Sequence, residues 1–270
     1  INSTNIHNRN FKWNTNFVLS YYRNYYVKRD ANYVLGINET QRQDVNDMWQ
    51  YVVDGMIPAG NPNAGALKFK DLNGYLRDDS GNIVMVNGKP AYSGSPDGMI
   101  DEADMIYKGN STPIPFSLNN SFEFGKFDVN VYFYGMFNNW QKNSTYTMFA
   151  GNLQNVALYG ENTLKSLANR WSYDNLNSSI PSIFAHVEST AAQRNGYYLE
   201  KAWFLRCDNV SLGYTFKTKK SNKYFSSLRV YAAARNLFVI TPYSGSDPET
   251  DSQAAYPNSR TYTFGIDITF

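Results

Sequence analysis

Cysteine is almost missing from these 270 residues. One thiol, Cys207, leaves no intramolecular disulfide framework and no thiolate zinc cluster to build. Two histidines, His7 and His186, leave little for imidazole chemistry. Charge is sparse too: 18% of residues are charged, against about 25% in an average globular domain. With 25 basic and 23 acidic side chains the net charge is +2, too balanced for an electrostatic nucleic-acid binder. Mean hydropathy is −0.51, and no run approaches the ~18 apolar residues of a membrane-spanning helix. No Walker loop, no G-x-G-x-x-G after a strand, no H-E-x-x-H and no C-x-x-C occurs. Paired acids such as Asp78-Asp79 and Asp101-Glu102 lie in turn-like, glycine-rich surroundings. An enzyme is not expected.

What is present is aromatic: 22 Tyr, 17 Phe and 5 Trp on an Asn- and Ser-rich background. Period-2 alternation carries them. Phe11, Trp13, Phe17, Leu19 and Tyr21 share one face of 11–21, interrupted by Thr15. Phe116, Leu118, Phe122 and Phe124 do the same in 114–124, as do Phe127, Val129, Val131, Phe133 and Phe137 in 127–137. The two-residue Gly125-Lys126 turn between them makes a hairpin. Further strands are expected at 204–216, 228–240 and 261–270, the last with Tyr262, Phe264, Ile266, Ile268 and Phe270 on one face. One short helix is expected at 161–171, with Leu164, Leu167 and Ala168 on one side.

Connections alternate between short and long: 28–113, 138–203 and 241–260 are the long ones. Such loops are uncommon in a compact soluble domain but are the habit of outer-membrane barrels, whose strands need about 9–11 residues to cross. Six strands are too few to close one, since the smallest bacterial examples use about eight. Either strands hide in 28–113 or the sequence is the tail of a larger barrel. The opening run INSTNIHNRN has no initiator Met and no apolar leader, and reads as the start of a piece with no earlier strand partner. Of the strand faces, the aromatic one is expected to meet lipid. The polar one, with Asp128, Asn130, Arg229, Arg235 and Asp267, is expected to line a lumen.

Two candidate sites stand out. Asp71-Leu72-Asn73-Gly74 and Asp97-Gly98-Met99-Ile100-Asp101-Glu102-Ala103-Asp104, read with 75–96 spliced out, give D-x-N-G-D-G-x-I-D-x-x-D. That approximates a Ca²⁺ loop, with oxygen donors from Asp71, Asn73, Asp97, the Met99 carbonyl, Asp101 and Asp104. Asp stands in the last place where Glu is usual. The same residues can instead form Asx and Asp-Gly turns. The second site is a set of loop aromatics, Trp140, Tyr146, Trp171 and Tyr173, able to stack on a sugar, anchor a partner, or pack on one another. No organic cofactor is indicated.

Several stretches resemble the C-terminal part of SusC/RagA-type TonB-dependent outer-membrane transporters of the Bacteroidetes. They are YYLEKAWFLRCDNVSLGYTF (Tyr197–Phe216), LRVYAAARNLFVITPYSGSDPE (Leu228–Glu249), YPNSRTYTFGIDITF (Tyr256–Phe270), and KFKDLNG (Lys68–Gly74) with DGMIDEADMIYKGNSTP (Asp97–Pro113). NFKWNTNFVLSYYRNYYV (Asn10–Val27) resembles the strand before them. The 75–96 insertion, Cys207 and Asp208 depart from the family pattern. The resemblance implies an all-β antiparallel transmembrane barrel, of which 1–270 is the C-terminal portion. The whole barrel would have about 22 strands, and 28–113 and 138–203 would be extracellular loops. It further implies residence in the bacterial outer membrane, within the lipid bilayer, and import of a glycan or peptide nutrient. A SusD-like surface lipoprotein would cap the mouth, and the TonB complex would act through a plug domain outside this sequence. The polar faces alone also permit a small barrel adhesin or a secreted carbohydrate-binding β-sandwich.

Overall fold

A computed structural model describes residues 1–30, 38–40, 42–143, 164–182, 196–217, 225–250, 256 and 258–270. Two strands open the chain, β1 (Asn2–His7) and β2 (Phe11–Leu19). The segment that follows carries β3 (Asp47–Gln50), β4 (Val53–Met56), β5 (Leu67–Phe69), β6 (Met85–Val86), β7 (Lys89–Pro90), a 3₁₀ turn at Glu102–Asp104 and β8 (Ile106–Asn110). Then come β9 (Ile114–Phe124), β10 (Phe127–Phe137), β11 (Trp140–Lys142), β12 (Leu199–Lys201), β13 (Phe204–Lys217), β14 (Ser227–Ile240) and β15 (Thr261–Thr269).

Seven of these form one sheet in the order β1-β2-β9-β10-β13-β14-β15, every pair antiparallel. The order follows the chain, with no crossover, so the connections alternate between the two ends of the sheet. The hairpin of β9 and β10 turns on Gly125, whose φ of +64° only glycine adopts at little cost. The sheet is open, with β1 and β15 at its edges. The long connections are not structureless: β3 pairs with β8, β4 with β5, β6 with β7 and β11 with β12.

Register puts the aromatic series in line. Phe11 lies opposite Phe124 and Trp13 opposite Phe122, and the Trp13 and Phe122 rings stack at 5.8 Å. Phe116 and Phe137 stack at 4.3 Å. This face is uncovered among the described residues: Phe264 is 82% exposed and Ile266 65%. The buried apolar cluster lies elsewhere, inside the first long connection, where Tyr51 and Met105 pack with Trp49 and Phe69.

Four expectations need correction. Asn2–His7 is a strand, so the first aromatic strand does have an earlier partner; being an edge strand whose one apolar residue is Ile6, it shows no alternation to read. The expected 11–21 strand ends at Leu19, and Ser20 N–H still bonds the Pro115 carbonyl. Of the expected 161–171 helix there is a 3₁₀ turn at Lys165–Asn169; residues 161–163 lie outside those described. Three strands differ by one residue at one end, 204–217, 227–240 and 261–269, while 114–124 and 127–137 stand as expected.

Candidate functional site

The calcium-like segments do meet. Residues 75–96 fold back on themselves: Tyr75 bridges Tyr92, Arg77 bridges Ile83, and Ser93 N–H bonds the Gly74 carbonyl. The insertion is thus a hairpin whose ends close, and Asp97 lands beside Asp71. Asp71 Oδ1 accepts the Asp97 N–H at 3.2 Å and Oδ2 the Gly98 N–H at 2.6 Å. Gly98 takes φ +85°, the sharp bend such a loop needs. Asp104, fully buried, accepts the Leu72 and Asn73 N–H groups on Oδ1 and the Asp101 N–H on Oδ2. Asp101 Oδ1 caps the 3₁₀ turn through Ala103 N–H, and Asp97 Oδ1 takes the Met99 N–H. Asn73 Oδ1 receives the Gly74 and Gly94 N–H groups.

Every assigned side chain therefore stands in one clasp, and each holds backbone amides through at least one oxygen. For a cation the donor types fit, being hard oxygens, but their placement does not form a ready shell. Among the described residues no three acidic, histidine or cysteine side chains converge as a metal cluster. Burial pushes the Asp101 carboxyl above the usual range, and the negative charges of Asp104 and Asp97 add to it. Burial, with Asp101 and Glu102 nearby, pushes the Tyr75 phenol up to about 12.

The loop aromatics divide. Trp140 opens β11 opposite Lys201, whose ammonium lies 5.7 Å from the indole centroid. Trp171 is 4% exposed; a Cβ on Gly65 would come within 2.4 Å of its ring. Tyr173 meets Trp171 edge-on at 5.5 Å and is 74% exposed. Tyr146 lies outside the described residues.

On the polar face of the sheet the expected charges form a ladder. Arg229 gives Nε and Nη2 to the two oxygens of Asp128, at 3.0 and 2.6 Å, and Nη1 to Asp267 at 3.0 Å. It reaches Asp128 across β13 because Gly213 lies between them without a side chain. Lys12 pairs with Glu123 at 2.9 Å near the same end of the sheet. Arg235 stands 3.8 Å from Asp208 at the opposite end.

Sequence reasoning missed the most buried ion pair among the described residues. Arg206, 2% exposed, pairs with Asp247 at 2.8 Å and Glu249 at 2.6 Å and also bonds Asn236. Tyr134 O–H reaches both Glu249 oxygens at 2.9 Å, so the loop after β14 is pinned to β10 and β13. The alternation of β13 is legible only from Asn209 onward. A bulge at Asp208 inverts the parity before it and hides which way Arg206 points. The acid-rich SGSDPE stretch was the available signal.

A sheet apolar on one exposed face, charged on the other and looped at one end has the pattern of strands in a transmembrane β-barrel. The comparisons make it more specific. No family model matches the chain. It is 29% identical over 194 residues, 68% of its length, to the TonB-dependent receptor SusC of Bacteroides thetaiotaomicron. To the TonB-dependent receptors P3 and P26 of Formosa agariphila it is 25% and 26% identical across its whole length. Solved structures of the RagAB peptide transporter superpose on all of it with TM-scores of 0.67 and 0.66 at 21% and 22% identity, a likeness of fold. In sequence the chain is thus similar to TonB-dependent receptors, SusC among them, and these relatives are not enzymes. It spans 18% to 28% of the length of these relatives.

Proposed function

We propose that this chain is the C-terminal wall of an outer-membrane barrel of about 22 strands, working in active import of a nutrient, an oligosaccharide or a peptide. The carrying observation is the uncovered aromatic face: Phe264, Ile266, Ile268 and Phe270 would meet acyl chains, while the Asp128–Arg229–Asp267 ladder faces a lumen. The long connections share one side, which the reading makes extracellular. There Trp140 and Tyr173 offer rings to a substrate or to a SusD-like lipoprotein over the mouth, with Trp171 holding Tyr173 in place. The energy-coupling contact with TonB belongs to a plug outside this sequence.

The test is fractionation of cells carrying the intact protein. It should partition with outer membranes, need detergent, and migrate faster on SDS gels before boiling than after. Recovery in buffer without detergent refutes the reading.

The proposal includes a structural Ca²⁺ at the clasp, on the hard-oxygen donor types of Asp71, Asn73, Asp97, Met99, Asp101 and Asp104 and on the closed 75–96 hairpin that sets Asp97 beside Asp71; the ion would have to draw these oxygens together. Calcium titration should slow proteolysis of 68–108 and leave the barrel band unchanged. Identical cleavage with calcium and with chelator means that the hydrogen bonds alone close the clasp.

A further inference from the structure

Long side chains cover most of the aromatic face, and β14 is the exception: after Leu228 its residues on that face are Val230, Ala232 and Ala234. Register sets this low column between two taller ones. Tyr214 lies opposite Val230 and Leu212 opposite Ala232 on one side, while Ile266 and Phe264 lie opposite the same two residues on the other. The result is a groove of about 510 Å³ along β14, in the size range of small-molecule sites. Phe127, opposite Tyr214, borders it at the end nearer the tight turns. From Val230 to Ala234 the low column runs about 13 Å, close to the ~15 Å of one leaflet of a bilayer core. A cation stands at the head of this groove. Lys126, in the turn between β9 and β10, reaches the aromatic face, its ammonium 5.9 Å from the Tyr214 ring centroid. It forms no ion pair among the described residues. Lys12 and Arg229 near the same end are instead paired on the polar face, with Glu123 and with Asp128 and Asp267.

We infer that this groove holds one acyl chain of a phospholipid, with the lipid's phosphate on Lys126, an inference that rests on the barrel reading above. On that reading the tight-turn end is periplasmic, and the groove opens to the inner leaflet. Protein and lipid tails are equally apolar, so packing decides what stays on the wall. A groove left unfilled forfeits dispersion contacts along both of its sides, and a narrow, flexible hydrocarbon chain is the shape that restores them. A polypeptide segment is a poorer occupant: its amides need partners, and Leu212, Val230, Ala232 and Phe264 carry no side-chain donor or acceptor. The free ammonium selects the headgroup, since a phosphate gives it a charge-assisted hydrogen bond at the membrane surface. The Tyr214 ring beneath that ammonium holds it over the groove rather than over the lumen.

Native mass spectrometry of the intact protein, released from mild detergent, tests this. The unaltered protein should retain one phospholipid. Ala232→Phe, which fills the floor of the groove, and Lys126→Ala, which removes the cation, should each keep the heat-modifiable barrel band yet lower the retained fraction about tenfold. Val131→Phe, on the same face two strands from β14, should lower neither. Dioleoyl phosphatidylglycerol added to the delipidated protein should restore the complex, whereas dioleoylglycerol, with the same chains and no phosphate, should not. Should Ala232→Phe fail to assemble, Lys126→Ala and the two added lipids decide. Undiminished retention in either groove variant, equal loss in all three variants, or equal binding of the two lipids overturns the proposal. Absence of a heat-modifiable band in the unaltered protein refutes the barrel reading instead.

Discussion

Gly135 and Gly213 show how differently two glycines in neighbouring strands can be constrained. A Cβ on Gly135 would lie 2.1 Å from the Phe204 carbonyl oxygen and 2.7 Å from the Phe116 ring, and a backbone oxygen cannot step aside. A Cβ on Gly213 would meet Arg229 Nη2 and Asp128 Oδ1 at 2.5 Å, the free ends of side chains that can swing away. Gly135→Ala should therefore cut the heat-modifiable fraction severely. Gly213→Ala should assemble but lose the ion ladder, behaving like Asp128→Asn in urea titration. Arg206 poses the opposite problem, a buried charge that needs its partners. Arg206→Ala leaves Asp247, 4% exposed, without its cation, at a cost of about 3–5 kcal/mol. The loop carrying Asp247 and Glu249 should become the first site of protease cleavage; unchanged resistance would mean that Tyr134 suffices to hold it.

At the scale of elements, the sheet strands from β2 to β15 have one mainly apolar and one mainly polar side, which the barrel reading gives to lipid and to the lumen. Val131→Arg places a charge in the central outer row, where mid-bilayer exposure costs about 2–4 kcal/mol, and Asn130→Arg places it on the polar side, where it costs little. Outer-membrane yield should fall sharply for the first and for Ile266→Arg, and hardly for the second or Thr263→Arg. Equal yields would defeat the face assignment. The first long connection behaves as an element of its own, fixed at its base by Arg23 on Asp44 at 2.8 Å. Burial would raise the Asp44 carboxyl, but the Asn46 N–H and the Arg23 guanidinium overcome it and hold it below the usual range. A depressed carboxyl stabilises the fold above its unfolded value near 4, and that contribution is lost as pH falls through the lower native value. Asp101 runs the other way, since its raised carboxyl is a burden that acid relieves. Hydrogen exchange in 42–56 should stay slow from pH 7 to 5 and quicken only below about pH 4. Loosening already between pH 7 and 5 would assign control to another group.

For the whole molecule, the strict order of strands places the long connections at one end of the sheet and the tight turns at the other. The long connections at that end carry Trp140, Tyr173 and the calcium-like clasp, and aromatic residues with few charges are the composition of an interface core. On the import reading proposed above, removing 142–196 from the intact protein should leave membrane assembly unchanged but lower nutrient uptake and co-purification of a lipoprotein from mild detergent. Unaltered uptake with the protein recovered alone would rule out a lid over these loops.

Six of the seven strands of the main sheet, their two faces, the tight hairpin at Gly125-Lys126 and the oxygen-bearing residues of the clasp were legible in the sequence. Each depends on a local rule: alternation with period two, a turn two residues long, or oxygen donors at set spacings. The edge strand β1 was invisible because a strand whose one apolar residue is Ile6 carries no period. Tertiary structure decided the rest. Only the folded 75–96 hairpin brings Asp97 to Asp71, only the bulge at Asp208 turns Arg206 toward Asp247, and only the register joins Ser3, Thr15 and Asn120 in one row. Alternation tells a residue which face it takes, but a neighbour from a distant strand is fixed by pairing and by the extra residues that shift it.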